Sequence, residues 1–117
     1  MVGCFTTESR LIVRFVETNQ ENLKKLSDEM TKYEVLKTMN QKSKNLPKIR
    51  SLKNPYYEEV LTSEDKTFEA IYYYTQIMHY DGEVTNNELT PIVFEDGKYA
   101  GRGWEFFYFI VEKYKIQ

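Results

Sequence analysis

The dipeptide Asp96-Gly97 constrains the fold of this chain more than any other feature in it. A two-residue hairpin loop of the favoured type needs φ > 0 at both central positions, and Asp-Gly meets that demand at low cost. It separates Leu89–Glu95 (LTPIVFE) from the residues after Lys98, and both flanks are rich in β-branched and aromatic side chains. The two flanks are therefore expected to be antiparallel neighbours. A further aromatic run, Thr67 to Tyr80, precedes them across a polar loop from Asp81 to Asn87. Alternation puts Phe68, Ala70, Tyr72 and Tyr74 on one side and Ile71, Tyr73 and Ile77 on the other. The second half thus reads as an antiparallel three-stranded meander, its last strand continuing through the aromatics from Trp104 to Val111.

Two residues complicate the meander. Pro91 removes a ladder hydrogen bond from what would be the central strand, so pairing is expected from about Ile92, or a bulge at Pro91. Tyr99, Gly101 and Gly103 share a face under strict alternation. The two glycines then leave a shallow groove for an aromatic ring or a helix to fill.

The first half carries helical signals. Thr18 and Glu21 have capping-box spacing, and Leu23, Leu26 and Met30 follow on one helical face. The box recurs at Thr31 and Glu34, ahead of Val35, Leu36 and Met39, so two short helices are expected. Leu11 to Val16 is short and β-branched, which suits a strand or an extended N-terminal arm. Asn40 to Lys53 holds five basic residues, no acidic ones and Pro47, and reads as an exposed loop. Asn54-Pro55 is a turn signal, and Tyr56 to Leu61 fits either a strand or a helical turn. The expected architecture is α+β: two short helices on the meander, as one domain over 18–117, with 1–17 as an arm or tether.

A net charge of −2 gives no global field for nucleic acid. The charge is uneven, however: nine basic against four acidic residues from Glu21 to Lys53, then five against twelve from Asn54 onward. Complementary packing of a basic segment against an acidic sheet accounts for that division. A single cysteine, Cys4, excludes an intrachain disulfide and a multi-cysteine metal site.

Catalytic patterns are missing from the sequence. His79 is the one histidine and has no second imidazole at ligand spacing. Glu58-Glu59 and Glu64-Asp65 read as solvated faces, and Gly101-Arg102-Gly103 leads into no phosphate-binding helix. The chain is expected not to be an enzyme and to take no cofactor or metal. The aromatic sheet face, with Tyr72, Tyr74, Tyr99, Arg102 and Trp104, is the candidate contact surface. The basic loop residues Lys42, Lys44, Lys48, Arg50 and Lys53 form a second one.

Asp28 to Leu36 resembles the helix start of small envelope lipoproteins of the SmpA/OmlA (BamE-like) superfamily. Asn54-Pro55-Tyr56 with Glu59-Val60, Tyr72 to Thr75, Glu88 to Phe94, Asp96-Gly97-Lys98 and Gly101, Gly103 and Trp104 resemble a related family of uncharacterised bacterial lipoproteins. The resemblance spans roughly residues 20–109. It implies a β-lactamase-inhibitor-protein-like fold and a lipidated Cys4 that tethers the chain to a membrane of the bacterial cell envelope. It also implies a non-catalytic role in binding a protein partner or supporting envelope assembly. An inhibitor of a secreted enzyme, presenting the aromatic sheet face, is the alternative. Two positions depart from the pattern: Asp28-Glu29 stands where Gly precedes Met30, and Arg102 where an aromatic is expected.

Overall fold

The computed structural model describes residues 7–40, 44–46, 50–78 and 84–116. Among these residues, three α-helices and a four-stranded antiparallel sheet make an α+β fold. Helices α1 (Thr7–Leu23) and α2 (Lys32–Met39) come first, then a small antiparallel pair, β1 (Lys44–Leu46) and β2 (Arg50–Leu52). Strands β3 (Tyr57–Thr62), β4 (Thr67–Tyr74), β5 (Leu89–Glu95) and β6 (Lys98–Arg102) form the main sheet in chain order. Helix α3 (Trp104–Lys113) closes the described chain.

Several expectations need correction. Leu11 to Val16 lies in α1 and is neither strand nor extended arm, so 7–17 is helical and Thr18 caps nothing. Ile12, Val16 and Asn19 are buried at helical spacing, and the polar Asn19 hides that period from a count of apolar residues. Leu23, Leu26 and Met30 do share one cluster, although α1 ends at Leu23. The Thr31 box forms as expected: Thr31 Oγ1 accepts from Glu34 N (3.1 Å), and Thr31 N donates to Glu34 Oε1 (2.9 Å). Asn40–Lys53 is not wholly a loop, since it holds β1 and β2, and Leu52 is buried.

The main sheet has four strands because Tyr57–Thr62 pairs with β4 along its whole length. Residues 104–111 are not strand but helix. Gly103, at φ +94, turns the chain out of β6, and Phe107 N donates to Gly103 O (3.0 Å) to open α3. Aromatic residues have strand propensity, but Phe106 and Ile110, four apart, pack on the sheet as one helical stripe.

The hairpin forms as the dipeptide requires, with Asp96 at φ +52 and Gly97 at φ +77. Pro91 does not delay pairing with β4, where it lies opposite Tyr72. Its carbonyl accepts from Gly103 N (2.9 Å), so its missing N–H also faces the β6 side, at the very end of that ladder. The bulge lies elsewhere: Phe94 pairs with Tyr99 and Val93 with Gly101, leaving Ala100 as the extra residue. Tyr99 and Gly101 consequently face opposite sides, against strict alternation. The space above Gly101 is filled, as a Cβ built there would sit 2.8 Å from the Phe106 ring.

The sheet buries both faces. Phe68, Ala70, Tyr72, Tyr74, Leu89 and Val93 meet Ile12 and Val16 of α1 and Ile110 of α3. On the opposite face Ile71, Tyr73, Ile92, Phe94 and Tyr99 meet Val35 and Met39 of α2. Ile77 packs with the first cluster, not the second, because β4 stops at Tyr74 and alternation lapses. Lys32 Nζ bridges Glu69 (2.6 Å) and Glu58 (3.3 Å), joining the basic half to the acidic sheet. The hydrogen bond to Glu69 raises the Lys32 pKa above its ordinary value. Between β4 and β5 the buried Glu88 carboxylate accepts from Met78 N (2.8 Å) and Thr85 N (2.9 Å).

Candidate aromatic docking surface

The sheet order brings Tyr57 of β3 opposite Tyr72 of β4, and their rings stack at 4.2 Å. Tyr72 in turn lies 5.8 Å from Trp104 and 6.2 Å from Phe107, both on α3. Trp104 continues to Phe107 (5.2 Å) and Tyr108 (5.7 Å), and Tyr56 meets Tyr57 edge to face. Six rings thus form one connected row from the end strand across to the C-terminal helix. Spacing explains the helical part, because Trp104, Phe107 and Tyr108 stand at i, i+3 and i+4. Tyr72 is buried in the middle, while Tyr57 is 41% and Tyr108 62% exposed at the two ends.

The row is held in place by polar anchors. Trp104 Nε1 donates to Leu89 O (2.8 Å) and Asn86 O (3.1 Å), which fixes the indole. The Tyr72 hydroxyl donates to Glu59. Burial, followed by that carboxylate, pushes the Tyr72 phenol far above its ordinary range. Desolvation and the charge of Glu59 also raise Tyr57. Both phenols therefore stay neutral at physiological pH. The surface offers ring faces, neutral hydroxyls and the exposed carboxylate of Glu59, a combination suited to apolar, aromatic or cationic contact groups. Exposed Phe109 lies on the other flank of α3, beside Phe106 and Lys113.

The five residues expected to make one contact face are dispersed. Tyr72 and Tyr74 are buried in the first cluster, and Tyr99 is buried in the second. Exposed Arg102 donates from Nη1 to the Tyr99 hydroxyl (2.8 Å). Of the five, only Tyr72 and Trp104 belong to the aromatic row. Of the basic loop, Lys53 is exposed and Lys44 and Arg50 occupy strand positions in β1 and β2. Lys42, Lys48, His79 and Cys4 lie outside the described residues. Among the described residues, no group of three or more His, Cys, Asp and Glu is placed to hold a metal ion. No described helix is long and apolar enough to cross a membrane.

The sequence reading missed Tyr57 and Tyr108. A signal for each was present: Tyr57, Glu59 and Leu61 alternate, and Trp104 and Tyr108 are four apart.

Fold and surface together define an α+β protein with an aromatic row partly open to solvent. A family model described as protein of unknown function (DUF3192) matches residues 13–107, most of the chain, and the chain belongs to that family. Comparison with curated proteins and with solved structures finds no match.

Proposed function

We propose that the chain is a non-catalytic docking module of the bacterial cell envelope, tethered through a lipidated Cys4, that binds a protein partner on the Tyr57–Trp104–Tyr108 surface. One observation carries the docking part: a connected row of rings whose centre is fixed and whose ends are exposed. Tyr and Trp are enriched at docking anchors because they bury large area while losing few rotamers. An indole already held by two backbone carbonyls fits that use, since it has less rotamer entropy to lose on contact. The envelope location and the tether rest on the lipoprotein resemblance of the sequence, with its BamE-like relatives and the fold those relatives share.

Replacing Tyr57 and Tyr108 together by Ser tests the docking surface, with a photo-crosslinking residue placed at exposed Glu105. The wild-type surface is expected to give one dominant crosslinked partner in envelope fractions, and the double variant to lose it while its circular dichroism is unchanged. Equal crosslinking by the folded double variant would remove the surface from the reading. If the partner is a soluble hydrolase whose activity the chain suppresses, the module acts as an inhibitor and not as an assembly factor. The tether is tested separately by intact mass and detergent partitioning of protein expressed with its native upstream sequence. An unmodified, water-soluble product would refute it.

A further inference from the structure

Strand β3 ends the main sheet, pairing with β4 on one side and with no strand on the other among the described residues. Tyr57, Glu58, Glu59, Val60 and Thr62 are exposed, whereas β4 beside them is buried along most of its length. At the opposite end of the sheet the start of β6 is covered. Thr31 bridges Lys98, Lys32 N donates to Gly97 O (2.9 Å), and Tyr99 N donates to Met30 O (2.8 Å). The fold thus covers the start of one edge with the entry to α2 and leaves the other unpaired among the described residues. An end strand of this kind presents free N–H and C=O groups as a template for another strand.

Charge selects the occupant. From Tyr57 to Lys66 the chain carries Glu58, Glu59, Glu64 and Asp65 against Lys66 alone. A second copy pairing antiparallel about the Glu58-Glu59 step would set Glu58 of each copy directly opposite Glu59 of the other, and pairing about the middle of β3 would leave the same carboxylates diagonal to one another. Like charges directly opposite destabilise such a pair. A cationic strand meets the reverse situation. Tyr57 and Glu59 lie on the Tyr72 face, where Glu59 accepts from the Tyr72 hydroxyl. Glu58 faces the α2 side with Lys32, and Val60, two residues on, shares that side and is 62% exposed. One face of an added strand would therefore meet an acid and a ring, and the other an acid and an apolar side chain.

We infer that the partner docks by adding an extended cationic segment, with basic and apolar residues in alternation, to β3 as a fifth strand. This rests on the docking reading above and gives the chemistry of its ligand. Arg or Lys side chains of the segment pair with Glu59 and lie against the Tyr57 ring, while β-branched residues cover Val60.

The probe is a blocked peptide of three Arg-Val repeats, compared with its Glu-Val counterpart and with two N-methylated forms, one for each alternate set of amides. Binding to the full chain is read by fluorescence anisotropy, and its location by amide hydrogen exchange. The basic peptide is expected to bind at least about tenfold more tightly than the acidic one, a difference of about 1.4 kcal/mol. It should slow exchange at residues 57–62. One N-methylated form should lose binding while the other keeps it, because a single edge of an added strand faces β3. Glu59→Lys should weaken the basic peptide by about tenfold. Equal binding of both N-methylated forms, protection outside 57–62, or no saturable binding at about 1 mM would each overturn strand addition. Those failures, with partner crosslinking still lost in the Tyr57 and Tyr108 double variant, would leave the docking surface standing and remove only this mode. Failure of both experiments would remove the surface itself.

Discussion

The side-chain amides of Asn19 and Asn54 are joined face to face: Asn19 Nδ2 donates to Asn54 Oδ1 (2.9 Å) and Asn54 Nδ2 to Asn19 Oδ1 (3.1 Å). Both residues are buried. Asn19 Nδ2 also donates to Tyr74 O (2.9 Å), and Asn54 Nδ2 to Met39 O (3.0 Å) and Asn40 O (2.6 Å). The pair therefore ties α1, the end of α2, the approach to β3 and the end of β4 at one point. It sits at the end of β4.

Removing either amide strands buried carbonyls, each worth about 1–3 kcal/mol when left unsatisfied. Asn54→Ala is expected to cost about 3 kcal/mol and Asn19→Ala about 2 kcal/mol in urea unfolding. Because the two share one network, the double variant should lose less than the sum of the singles by about 1 kcal/mol. Strict additivity would show that the amides do not act as a unit.

The contact between Gly101 and Phe106 explains why a glycine is needed in β6, where no positive φ demands one. A Cβ at 101 would lie 2.8 Å from the Phe106 ring. Gly101→Ala should therefore lose about 2 kcal/mol through overpacking. Adding Phe106→Leu, which withdraws the ring edge, should recover part of that loss. If Gly101→Ala is as stable as the wild type, the ring moves freely and the contact does not specify the packing of α3.

Where sequence and structure agree, the signal was local. The Asp96-Gly97 turn, the Thr31–Glu34 box and the bounds of Leu89–Glu95 each follow from a few adjacent residues. The disagreements arise where tertiary contacts decide. Residues 104–111 have strand-like composition, but the missing side chain at Gly101, whose place the Phe106 ring takes, and the turn at Gly103 favour a helix there. Ala100 reverses the alternation of β6, and one inserted residue of that kind leaves no mark on composition. The aromatic row was legible only in part, because Tyr57 and Tyr108 meet through Tyr72 and Trp104, across strand pairing that a linear reading does not supply.

Glu29 gives a prediction in the opposite direction. It adopts φ +76, a left-handed conformation that L side chains enter at a cost of roughly 1–2 kcal/mol. Met30, next in the chain, accepts from Tyr99 N, so the turn is held by the edge of β6. Glu29→Gly is expected to relieve the strain while adding unfolded-state entropy, for a net gain of about 0.5 kcal/mol. A rise in the urea midpoint with an unchanged denaturant slope would bear this out. A fall would show that the Glu29 side chain contributes contacts that outweigh the backbone strain.

Tyr73 and its neighbour Tyr72 should respond in opposite ways to loss of the hydroxyl. Tyr72 donates to Glu59, whereas the fully buried Tyr73 hydroxyl has no hydrogen-bond partner among the described residues. Tyr73→Phe removes an uncompensated desolvation cost and is expected to stabilise by about 1 kcal/mol; Tyr72→Phe should destabilise by a similar amount. Burial and then the charge of Glu58 push the Tyr73 phenol above its ordinary value of 10.0. The unfolded phenol therefore ionises first. Stability linked to Tyr73 is fully present below pH 10 and is lost as pH rises past it toward the raised folded value. The advantage of Tyr73→Phe over wild type should accordingly widen above pH 10, since the variant lacks that titration. Urea unfolding at pH 7 and pH 10.5 measures both effects. A variant less stable than wild type at pH 7 would mean that the hydroxyl makes a favourable interaction on the α2 side of the sheet.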